Sequence, residues 1–100
     1  MRDFIFFMHN DTPAGSAANN DTAWQTYFTM LRASGRFDGG SSIGGGVCVS
    51  NTTPVKAISS HLTGYIRVRA ESLDDAKVLL KGNPVLDSGG TVEVRELPRG

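Results

Sequence analysis

Residues 3–9 (DFIFFMH) are apolar at nearly every position, with Phe4, Phe6 and Met8 on one side of an extended chain and Ile5, Phe7 and His9 on the other. Successive side chains of a β-strand point to opposite faces, so this run predicts a strand buried on both. The run NDTPAGSAANND that follows has turn formers and no hydrophobic period, and reads as loop over 10–21. Thr22-Ala-Trp-Gln25 has the spacing of a capping box and opens a helix in which Trp24, Tyr27, Phe28 and Leu31 recur at i, i+3, i+4 and i+7. Arg32 complements the C-terminal end of the helix dipole, and Gly35 suits the cap.

Residues 36–50 carry Gly39, Gly40, Gly44, Gly45 and Gly46, too many for one regular strand. The expectation is an irregular, bulged edge segment over 37–46 that becomes a strand at Val47-Cys48-Val49, with a short return strand over 55–58. Residues 62–70 alternate cleanly: Ile66, Val68 and Ala70 face one way, and Tyr65, Arg67 and Arg69 the other. Ser72-Leu-Asp-Asp75 caps a second helix carrying Leu73, Ala76, Leu79 and Leu80, which Gly82 and Pro84 end. A last strand over 91–97 has Val92 and Val94 inward and Thr91, Glu93, Arg95 and Leu97 outward.

The order strand, helix, strand, strand, helix, strand is the ferredoxin-like βαββαβ arrangement, an α+β fold in which two helices cover one face of a four-stranded antiparallel sheet. The helices account for one face only. A first strand apolar on both sides needs a second cover, and another copy of the same sheet is the simplest, so a homodimer is expected.

With 100 residues the chain is one small domain, 1–100. Ten Lys and Arg balance ten Asp and Glu, which gives no basic field to attract nucleic acid or an anionic membrane. The short apolar run near the start is neither signal peptide nor membrane span, and with a single cysteine, Cys48, a cytoplasmic location is expected.

The segments Gly64-Tyr65, Arg69-Ala70-Glu71-Ser72-Leu73, Asn83-Pro84-Val85 and Gly89-Gly90-Thr91-Val92-Glu93-Val94-Arg95 resemble the YCII-like (DGPF-domain) family. The resemblance implies a dimeric α/β-barrel of two ferredoxin-like sheets with a small-molecule pocket between helix, sheet and partner. It also implies an acid/base pair of a histidine on the first helix and an aspartate near the second strand. This chain departs from that pattern. Its first helix carries no histidine, Asp38 alone lies near the aspartate position, and only Pro54 of Thr52-Thr53-Pro54-Val55 keeps the Asp-Gly-Pro-Phe signature.

His9 ends the first strand, where a central strand delivers a side chain to the mouth of a cleft, and imidazole titrates near neutral pH. The plainer alternative is a histidine bonded to the 10–12 turn. Asp38 is a candidate to orient such a histidine, or else a turn former before Gly39-Gly40. His61, just before the third strand, is a candidate to replace the missing helical histidine; otherwise it is an exposed loop residue. Tyr65, Arg67, Arg69, Glu93 and Arg95 share the outer sheet face and form a candidate ligand-binding surface for a carboxylate or phenolate, or an interface of Arg and Glu pairs across the two-fold.

Cys48, between two valines, reads as a buried structural thiol. Neither histidine belongs to an H-x-x-x-H pattern and the glycines match no nucleotide-binding loop, so no metal and no cofactor is implied. Two readings remain: a cofactor-free acid/base enzyme of lyase or isomerase type acting on a small anionic or cyclic substrate, and a non-catalytic dimeric ligand-binding or regulatory module.

Overall fold

The computed structural model describes Met1–Arg99 and has four strands and three helices: β1 (Arg2–His9), α1 (Asp21–Ala33), β2 (Phe37–Ser42), β3 (Leu62–Ala70), α2 (Leu73–Val78), α3 (Pro84–Asp87) and β4 (Val92–Leu97), with a 3-10 turn at Ala17–Asn19. All strand pairings are antiparallel, in the order β2-β3-β1-β4. The predicted ferredoxin-like α+β sheet is therefore observed, with β1 and β3 central.

Alternation along the central strands sorts their side chains as expected. Phe4, Phe6 and Met8 of β1 and Ile66, Val68 and Ala70 of β3 are buried under the helices with Tyr27 and Leu31 of α1, Leu79, Leu80 and Val85. Ile5, Phe7 and His9 are only half-buried, since the opposite face has no cover within one chain. Val92 and Val94 pack on the core's margin.

The helix boundaries differ from the sequence reading for identifiable reasons. Asn20, not Thr22, caps α1: its extended backbone lets Oδ1 accept from the amides of Thr22 and Ala23 at 2.9 and 3.2 Å. Ser72 caps α2 as foreseen, accepting from the Asp75 amide. Pro84 does not end a helix but begins one, at the first turn of α3, where its missing N–H costs nothing and the buried Asn83 supplies the cap. Gly35, with φ of 73°, closes α1 in the left-handed region that glycine tolerates.

The largest correction concerns residues 43–61. β2 is the bulged edge strand expected, its register shifting between Phe37 and Gly40, but it ends at Ser42, and neither 47–49 nor 55–58 forms a strand. Val47 and Val49 are 83% and 87% exposed, and Cys48 is exposed rather than buried. The segment doubles back on itself, Cys48 Sγ lying 3.5 Å from the Ala57 carbonyl. It extends the molecule to a radius of gyration of 14.9 Å, against about 13 Å for a compact chain of this length.

Tyr27 lies in the middle of the core, 2% exposed, and donates to the Leu79 carbonyl at 2.8 Å. Burial pushes its phenol up to about 12, opposed by the side chain of Asn83. An unfolded chain ionises this phenol near pH 10, so between pH ~10 and ~12 it binds fewer protons than the folded one and stability falls as pH rises, by up to about 3 kcal/mol. Urea unfolding midpoints across this window should show that loss, and Tyr27→Phe should flatten it. An unchanged slope in the variant would mean that other groups set the alkaline limit.

Candidate functional site

A cleft of about 680 Å³ opens between α1 and the sheet. Its apolar wall is Trp24 and Phe28 of α1 with Met8 and Ile66 beneath, and its lining also includes His9, Asp21, Ser41 and Tyr65. The wall follows from the helical spacing: Trp24 and Phe28 are one turn apart and stack, with ring centroids 5.6 Å apart and planes 27° from parallel. Trp24 is further held by Nε1 donating to the Ala18 carbonyl at 2.8 Å, which ties the 3-10 turn to α1. Phe28 leans on Phe37, and the Arg32 guanidinium covers both rings at 5.9 and 5.8 Å.

The opposite wall needs a backbone without side chains. A Cβ on Gly40 would strike the Tyr65 carbonyl and lie 3.1 Å from the Ile66 Cα, so glycine there permits the close β2–β3 approach. Gly64 plays the same part across the strand, next to Met8 and Ser41.

At the C-terminal end of β1, backbone bonds grip the chain from both sides. The His9 amide donates to the Thr91 carbonyl at 3.0 Å, and the Asn10 amide to the His61 carbonyl at 2.9 Å. Asn10 Nδ2 reaches the Ser60 carbonyl, while Asp11 accepts from the amide and hydroxyl of Thr91; those bonds from Thr91 hold its carboxyl below the usual range. As a result, His9, His61 and Glu93 converge although 84 residues separate the outer two. His9 Nε2 lies 3.2 Å from Glu93 Oε1, and the two imidazoles meet edge to face with centroids 4.9 Å apart. The hydrogen bond from His9, with a second from Arg95 at 3.0 Å, holds the Glu93 carboxyl below its ordinary range.

The sequence candidates thus separate. His9 and His61 come together, with His9 in the cleft lining. Asp38 is not their partner: it sits beside β3 near Val68, about six residues or ~20 Å along the strand from the His9 end. There Arg69 Nε contacts both of its oxygens at 3.1 Å, and the guanidinium also donates to the Gly35 carbonyl. The carboxylate that meets His9 is Glu93 instead, a contact that sequence distance concealed. Of the five outer-face residues, Tyr65 alone lines the cleft. Arg69 is committed to Asp38 and Arg95 to Glu93, and Arg67 is exposed. The arginine face and the cleft are two different surfaces. Trp24 and Phe28, which the sequence marked only as part of the apolar stripe of α1, form the cleft wall.

Fold and cleft define a ferredoxin-like α+β domain with a small-molecule-sized, aromatic-walled site under its first helix. No family model matches the chain, and no curated protein does. Among solved structures it is similar to 5-chloro-2-hydroxyhydroquinone dehydrochlorinase from Burkholderia phenoliruptrix AC1100, determined in complex with 2,5-dihydroxybenzoquinone. The likeness has a TM-score of 0.59 at 18% identity and covers 98% of this chain and 95% of that one. It supports the ferredoxin-like fold over the whole length. No helix among the described residues is long and apolar enough to cross a membrane.

Proposed function

We propose that this protein is a YCII-like enzyme that binds a small cyclic, phenolic or otherwise anionic molecule in the cleft and acts on it by proton transfer or elimination, without a cofactor. The observation that carries the reading is the stacked Trp24–Phe28 wall of a cleft whose lining includes His9. A flat ring slides against such a wall, and its hydroxyls then lie along the polar part of the lining. Glu93 takes the Nε2–H of His9, fixing that tautomer and leaving the Nδ1 lone pair as the base. Glu93 also stabilises the imidazolium that forms once the proton has moved. The ligand of the structural neighbour, a dihydroxybenzoquinone, has the shape and acidity such a site suits.

The chain's single tryptophan lies in the cleft wall and reports on occupancy. Titration with 2,5-dihydroxybenzoquinone should quench Trp24 saturably, and Phe28→Ala should weaken the response about tenfold. With a chlorinated hydroxyhydroquinone, chloride release should fall about 10²–10⁴-fold in His9→Gln while quenching persists. Absence of saturable quenching removes the cleft as the site. Quenching without turnover in the unaltered protein selects the non-catalytic binding module.

A further inference from the structure

We propose that His9, His61 and Glu93 form a binding site for one divalent first-row transition ion, with zinc the best fit, at the C-terminal end of the central strand. The inference does not rest on the acid/base reading of the cleft.

Both histidines of the chain meet at this one point. One ligand atom from each of the three residues falls within 4.8 Å of the others. A tetrahedral ion with bonds of about 2.0–2.2 Å needs ligand atoms about 3.4 Å apart, so the set must contract by up to about 1.4 Å. The exposed His61 ring supplies that movement by a side-chain rotation, while His9, with 20% of its side chain exposed, and Glu93, at 36%, are the fixed members.

The backbone bonds from His9 to Thr91 and from Asn10 to His61 already hold the three strand ends together, so binding orders only a side chain. Two imidazoles and one carboxylate form the donor set that borderline ions such as Zn²⁺ and Co²⁺ prefer, and three protein ligands leave a position for water. The neighbouring charges also fit. Arg95 engages Glu93 through Oε2 and leaves Oε1 to the site, acting as an outer partner that orients the carboxylate. Asp11, held by Thr91, adds a second negative charge on the approach. The ion would take the place of the His9 Nε2 to Glu93 Oε1 hydrogen bond, with the imidazole carrying its proton on Nδ1 in the metal-binding tautomer.

The test is calorimetric titration of chelator-treated full-length protein with zinc chloride, and titration with cobalt chloride followed by visible absorption. One equivalent per chain, a dissociation constant of about 10 μM or below, and the intense bands of tetrahedral Co²⁺ are expected. His61→Ala, at an exposed position that cannot threaten the fold, should weaken binding at least about tenfold, as should Glu93→Gln, whereas Cys48→Ser should not. Binding weaker than about 1 mM, or equal binding in His61→Ala, overturns the proposal. Neither result touches the cleft reading, because Trp24 quenching is measured without metal.

Discussion

Phe6→Ala is expected to destabilise the fold by about 3–5 kcal/mol, the range for removing a fully buried phenylalanine ring. Phe6 is 0% exposed and central on the central strand, paired with Ile66 on one side and Val94 on the other. Its ring fills the space between sheet and α1, and nothing around it collapses easily, because Phe4, Ile66, Val68 and Leu31 are themselves fixed by strand register and helix. A domain of this size has about 5–15 kcal/mol in all, so the variant should unfold at much lower urea or fail to fold at room temperature. Chemical denaturation with circular dichroism measures it. A loss below about 1 kcal/mol would mean that the core is looser than its burial implies.

One residue on, Phe7→Asp should leave the monomer folded and separate the proposed homodimer. Phe7 faces the uncovered side with Ile5, Tyr65 and Leu97, all half-buried, and a margin of charge from Arg69, Arg67, Arg95 and Glu93 surrounds them. Such an apolar centre with a polar rim is the anatomy of an interface, and a second copy of the same sheet fits it by two-fold symmetry. The two copies of Phe7 would bring two carboxylates into a desolvated centre when changed to Asp, a cost that the arginines of the margin offset only in part. Light scattering at micromolar concentration should give about twice 10.7 kDa for the unaltered chain and the single mass for Phe7→Asp. A monomer in the unaltered protein removes the dimer and the barrel with it. Because Phe6 and Phe7 point opposite ways, the two variants separate stability from assembly.

The cleft and the histidine cluster together explain why the long loops are where they are. The segment 10–21 begins at His9, crosses beneath α3 and ends as the cap of α1, so it links the strand end to the aromatic wall. Asp11 anchors its start to Thr91, and Gly90 beside it has no space for a Cβ, which would meet Thr12, Val85 and Asp11 itself. Any bulky substitution at Gly90 acts on the site through this junction.

What the sequence determined by itself are the features that arise from neighbours along the chain. The period of two in 62–70 placed Ile66, Val68 and Ala70 inward, the period of 3.6 in 22–34 made α1, and Ser72 and Gly35 marked helix ends, because side-chain direction and capping are local geometry. The order of those elements was enough for the ferredoxin-like sheet. What only the tertiary structure decided are the pairings between distant segments. The sequence offers Asp38 as the partner for His9 and leaves Glu93 on the outer sheet face, whereas the folded chain pairs Asp38 with Arg69 and Glu93 with His9. His61 reaches His9 because a backbone bond closes across β1 and β3, not because of any spacing motif. Val47 and Val49 have the composition of a strand and pair with none, since β-structure is completed by a neighbour that the local sequence does not contain.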